Sequence, residues 1–121
     1  MVSVGRATKR RRPNAAAHQL SNLPIYAYKD RLLAAIKSKP VLIVVGETGS
    51  GKTTQLPQYI CDAGLARQGN KMICVTQPRR VAAVTVATRV ASERGEKIGG
   101  TVGYCVRFDE KVSRKTQVCR F

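Results

Sequence analysis

The chain has 121 residues, and its 22 lysines and arginines stand against seven acids for a formal net charge of +15. That length bounds it to one domain or part of one, and the charge points to a polyanionic partner, nucleic acid first. The four cysteines form no C-x-x-C pair and the one histidine is His18, which excludes an assembled zinc site. The apolar runs are too short for a membrane span or a signal peptide.

Residues 1–20 carry Arg6, Lys9, Arg10, Arg11 and Arg12 without an acid and are expected to be a disordered basic tail. The run Lys9-Arg10-Arg11-Arg12 suits a nuclear import signal or a nucleic-acid arm. With the cysteine usage it makes an intracellular, nuclear location the expectation. Leu23-Pro24 opens a helix with Ile25, Tyr28, Leu32, Leu33 and Ile36 on one face, ended by Lys39-Pro40. Residues 41–45, a β-branched apolar run, read as a buried parallel strand. A helix from Thr53 to about Ala63 follows, with Pro57 near its second turn and Gly64 just past its end. Residues 72–76 read as a second strand and 79–93 as a helix striped by Val81, Val84, Thr85, Thr88 and Ala91, with Gly95 closing it. A third strand over 101–106, a charged loop over 109–115 and the start of a fourth strand at 116–121 complete the reading. Cys74 and Cys105, inside apolar runs, read as small buried hydrophobes. Strands alternating with helices predict an α/β domain with a parallel sheet.

Between the first strand and the next helix lies Gly46-Glu47-Thr48-Gly49-Ser50-Gly51-Lys52-Thr53, which fits the P-loop pattern G-x-x-x-x-G-K-[ST]. Gly46, Gly49 and Gly51 permit φ > 0 and a close backbone approach to phosphate. Successive N–H groups and the helix N-terminus then make an anion nest. Lys52 brings a point charge to the β- and γ-phosphates, and the Thr53 hydroxyl is the expected Mg²⁺ ligand. Strand, glycine loop and helix in that order identify a nucleoside triphosphate site.

The surrounding text narrows the class. Gly46 through Gln55 with Pro57-Gln58-Tyr59, then Thr76-Gln77-Pro78-Arg79-Arg80-Val81-Ala82-Ala83, Arg89-Val90-Ala91, Val102-Gly103-Tyr104 and Arg107-Phe108-Asp109, closely resemble DEAH-box RNA helicases over about residues 23–118. The resemblance implies an ATP-dependent RNA helicase, with residues 21–121 as the N-terminal, incomplete part of the first RecA-like domain. It implies ATP and Mg²⁺ bound through Gly46 to Thr54, Arg89 stacking on adenine, and Arg79 and Arg80 on RNA. RNA and an activating protein are the expected partners, and no membrane is. The family's Asp-Glu-Ala-His box is expected beyond Phe121, and Asp109-Glu110 fits the family's Arg-Phe-Asp text rather than that box. By itself the chain is therefore expected to bind nucleotide without hydrolysing it and to be marginally stable. The alternative function is a truncated nucleotide- or RNA-binding module that competes with a full enzyme or serves as an assembly piece.

Overall fold

A computed structural model describes residues 22–66 and 71–120; the basic tail expected over 1–20 lies outside the described residues. Pro24 starts a 3₁₀ helix, Pro24–Tyr28, which passes into α1, Lys29–Ser38. Proline's fixed φ suits that first position. Ile25 is buried while Tyr28, expected on the same apolar face, is exposed. The tighter 3₁₀ turn carries it off the stripe that an α-helical period would give.

The strand expected over 41–45 does not form. Those residues are assigned no strand pairing, and Val41, Ile43 and Val45 are 76%, 84% and 92% exposed. Leu42 and Val44 are less exposed, so the period-2 alternation of an extended chain survives without a ladder. A strand is completed by a neighbour's backbone, and none of the described strands takes these residues as a partner.

α2 spans Lys52–Asp62 and ends as the glycine signal requires. Gly64, at φ +74°, donates its N–H to Cys61 O, and Leu65 donates to Ile60 O. This pair of bonds is a Schellman closure. α3, Arg80–Glu93, closes the same way on Gly95, whose N–H reaches Ser92 O while that of Glu96 reaches Ala91 O. Its buried face is Ala83, Ala87, Val90 and Ala91, which shares only Ala91 with the expected stripe, while Val84 is partly buried against the core. Val81, Thr85 and Thr88 are exposed, and the two threonine hydroxyls donate to the carbonyls of Val81 and Val84 one turn back. Small alanines at 83, 87 and 91 let α3 lie close on the sheet, with Val90 as the one large side chain fully buried among them.

The sheet has four strands, β1 (Ile73–Val75), β2 (Val102–Val106), β3 (Asp109–Lys111) and β4 (Val118–Arg120), in the order β1-β4-β2-β3. β4 pairs in parallel with both β1 and β2, with Val118 opposite Ile73 and Val102. β3 is antiparallel to β2, so the sheet is mixed where a parallel one was expected. The expected loop over 109–115 hid this strand because Asp109-Glu110-Lys111 carries no apolar residue. Its order comes from pairing with β2 across a turn where Phe108 takes φ +66°. Gly103 permits that pairing, since a Cβ there would run into Lys111 O.

Cys61, Ala87, Val90, Ala91, Val102, Tyr104 and Val118 form the core between sheet and helices. Cys74 is exposed and Cys105 half-buried, contrary to expectation. Alternate strand residues face opposite sides, and these two point away from the core that Ile73, Val75, Val102 and Tyr104 join. Among the described residues no helix is long and apolar enough to cross a membrane.

Candidate functional site

The glycine loop turns directly into α2. Ser50 closes a turn on Glu47 O through its N–H at 3.3 Å and its Oγ at 2.8 Å. Gly49 and Gly51 take φ of +81° and +94°, whereas Gly46 is not among the positive-φ glycines described. A Cβ on Gly46 would stand in ordinary contact with Lys52 Nζ, at 3.4 Å, so neither backbone nor space demands glycine at this position. Gly51 is doubly constrained, since a Cβ there would meet Ile25 Cγ2 at 2.9 Å. The lead-in helix braces the same corner, with Ile25 N–H donating to Ser50 O at 3.2 Å.

The Lys52 ammonium points back into the loop. It donates to Gly46 O at 2.5 Å, Glu47 O at 2.6 Å and Ser50 Oγ at 3.1 Å. A primary ammonium has three donors, and here the loop occupies all three. α2 begins at Lys52 behind Gly51, with no side-chain cap and no acid in its first turn. Its N-terminal N–H groups therefore have neither of the usual protein substitutes for an anion. Thr53 is exposed and its hydroxyl has no protein partner among the described residues. Glu47 and Thr48 are exposed on the loop, and the Thr54 hydroxyl bonds Gly51 O.

A cavity of about 580 Å³ opens beside the loop, touching Gly46, Glu47, Ser50 and Lys52. Its other walls are Pro24, Ile25, Tyr28, Leu32 and the unpaired 42–45 segment, with Arg31 among them. Away from Arg31 and the loop itself these walls are mostly apolar, whereas the loop and the α2 N-terminus present backbone N–H groups of the kind that suit an anion.

Arg89 is exposed on α3 and donates through Nε to Glu93 Oε1 at 3.1 Å. Glu93 Oε2 accepts from Gln55 Nε2 and Gln58 Nε2, both at 2.9 Å. One carboxylate thus joins the expected base-stacking arginine to the helix that follows the loop. Sequence reasoning missed Glu93. The available signal was a pair of glutamines on one face of α2, which need partners when buried, together with the Arg89/Glu93 spacing.

Arg79 and Arg80 lie at the opposite end of α3, just after β1, both exposed. Nine residues of helix put Arg80 about 14 Å from Arg89 along the axis, so the two expected contacts occupy separate ends of one element. Asp109 and Glu110 are engaged within the hairpin, accepting from Tyr104 Oη at 2.9 Å and Cys105 Sγ at 3.8 Å. The described residues contain no group of three or more His, Cys, Asp or Glu placed to hold a metal.

Arg120, on β4, is the second residue that sequence reasoning did not single out. It is fully buried and its Nη2 donates to Thr53 O at 2.8 Å, while Nε and Nη1 have no partner among the described residues. Burial pushes its pKa below the ordinary guanidinium value, and the Glu93 carboxylate opposes that shift.

No protein-family model matches the chain. Among curated proteins it is 48% identical over 106 residues to the ATP-dependent RNA helicase DHX33 of Homo sapiens. It is 52% identical over 107 residues to the pre-mRNA-splicing factor ATP-dependent RNA helicase DEAH10 of Arabidopsis thaliana. Each alignment covers 88% of this chain, and the chain spans about 15% of the length of either relative. At about half identity across nearly all of its residues, the chain belongs to the DEAH-box RNA helicase family, as a stretch of that family's sequence.

Proposed function

We propose that residues 21–121 form the N-terminal part of the first RecA-like domain of an ATP-dependent RNA helicase and bind ATP with Mg²⁺ through the glycine loop. The observation that carries this reading is the Lys52 ammonium, held inside the loop by Gly46 O, Glu47 O and Ser50 Oγ beside an uncapped helix N-terminus. Phosphate oxygens can replace those acceptors, and the free N–H groups of α2 add donors that need no rearrangement. The donor set fits a Mg²⁺–triphosphate: Lys52 on the β- and γ-phosphates and the exposed Thr53 hydroxyl on the ion. Bound Mg²⁺ supplies neutralisation of phosphate charge and tolerates a shell made mostly of phosphate oxygens and water. Arg89, exposed and planar, stacks on the adenine face, a contact any base can make. Arg79 and Arg80, with the α3 N-terminus, hold RNA backbone phosphates without reading bases. RNA or ribonucleoprotein remodelling, an activating protein partner and a nuclear location belong to the same reading of the whole protein.

For these 121 residues alone we infer nucleotide binding without turnover. The match of Asp109-Glu110 to the family's Arg-Phe-Asp text rather than to its Asp-Glu-Ala-His box favours this, and each carboxylate already accepts one bond within the hairpin, from Tyr104 and Cys105. Titration of residues 1–121 with a fluorescent adenine nucleotide tests both statements. Saturable Mg²⁺-dependent binding that disappears in Lys52→Ala and weakens in Arg89→Ala is expected, with no phosphate release. Binding that survives Lys52→Ala would overturn the site. Turnover abolished by Lys52→Ala would overturn the binding-only reading.

A further inference from the structure

We propose that Arg120 is a positioning residue for the phosphate site, substituting for the one backbone hydrogen bond that Pro57 removes from α2. In an α-helix the N–H of residue 57 would donate to the carbonyl of residue 53. Pro57 has no N–H, so Thr53 O lacks its helical donor in the very turn that begins at Lys52. Arg120 Nη2 reaches that carbonyl at 2.8 Å from β4, one of the two inner strands of the sheet.

The cost of this arrangement argues that the bond matters. Arg120 is 0% exposed, and two of its guanidinium nitrogens have no partner among the described residues. A buried charge so incompletely satisfied is commonly replaced without loss by an apolar side chain of similar size. Its compensation comes from Glu93, which Gln55 and Gln58 of α2 hold in place. The guanidinium therefore sits in a polar layer whose other members belong to or touch the same helix. Thr53 is the residue at which this layer meets the site. Its carbonyl faces Arg120, its hydroxyl has no partner among the described residues, and its N–H is one of the uncapped N-terminal donors. Fixing the carbonyl fixes the plane of the following peptide and the pitch of the first turn. That in turn sets where the hydroxyl and the N–H groups point.

The inference rests on the nucleotide reading, and the test separates the two. Mg²⁺-dependent binding of a fluorescent adenine nucleotide is measured on residues 1–121 as wild type, Arg120→Met, Pro57→Ala, the double variant and Lys52→Ala, together with the unfolding midpoint. Arg120→Met should weaken binding about tenfold, as loss of one hydrogen bond from a charged donor does. Its unfolding midpoint should not fall, because the charge removed was buried and incompletely paired. In the Pro57→Ala background an alanine N–H reaches Thr53 O, and the same substitution should cost less than about twofold if additivity fails as it does for a shared partner. Arg120→Lys, which keeps a donor, should bind close to wild type and serves if the Met variant does not fold. Equal losses in both backgrounds, or no loss at all, would overturn the role of Arg120. Should wild type bind while Lys52→Ala does not, and Arg120→Met be unaffected, only this inference falls. Should wild type bind no nucleotide, both readings fall together.

Discussion

Lys52 shows how little of a site one residue type defines. Its charge and position were legible in the loop pattern, but the three acceptors that hold its ammonium come from the loop's own backbone and one hydroxyl. Tyr104 carries a second consequence at this scale. Its phenol donates to Asp109, and that bond, then burial, raises its pKa above the ordinary 10.0, with Arg80 opposing. The folded state keeps the phenolic proton longer than the unfolded one, so the contribution is complete below the unfolded value and lost as pH rises through the folded one. Urea midpoints measured from about pH 9 to 11 should therefore fall less steeply in Tyr104→Phe than in wild type. The thiols separate similarly. Cys74 is exposed, whereas burial, then Cys105 and Cys74, push the Cys119 thiol up. Mass-spectrometric alkylation should label Cys74 first and Cys119 last, because the thiolate is the reacting form.

At the scale of elements, the α2–α3 joint depends on Glu93 accepting from Gln55, Gln58 and Arg89. Gln55 and Gln58 are buried, so Glu93→Ala takes one acceptor from each amide and leaves them only Thr54 Oγ1 and Thr54 O. A loss of about 2–4 kcal/mol is expected in chemical denaturation. Two glycines of the loop make a paired test. Gly49→Ala meets nothing within 4 Å and suffers only its left-handed backbone, about 1–2 kcal/mol. Gly51→Ala adds contact with Ile25 Cγ2 at 2.9 Å and should be the more damaging to both stability and nucleotide binding. The helix ends were readable because glycine is the residue that tolerates the closing φ, and Gly64 and Gly95 both close on it. The face of α3 was not, because valine and threonine periodicity cannot say which residues a sheet will admit closely. Alanine at 83 and 87 and valine at 90 are admitted, whereas valine at 81 stands outside.

For the whole molecule the charge of +15 is a statement about association rather than fold. If RNA lies on the α3 N-terminus, affinity for single-stranded RNA should fall with salt, and Arg79→Ala/Arg80→Ala should flatten the log–log slope by about 0.7 per contact removed. Residues 41–45 should be the fastest-exchanging apolar backbone in hydrogen–deuterium exchange, since they lack a ladder. A broad, low thermal transition that Mg²⁺–ATP moves upward is expected, in keeping with a small core. By itself, the sequence determined the loop, the order of the helices and of strands β1, β2 and β4, the helix closures and the helicase family. Each of these is written in local residue types or in text shared with relatives. Only the tertiary structure decided that residues 41–45 stand unpaired, that β3 pairs antiparallel with β2, and that Glu93 and Arg120 meet α2. Those outcomes depend on which distant backbone or side chain arrives opposite, and a residue's own propensity carries no record of that partner.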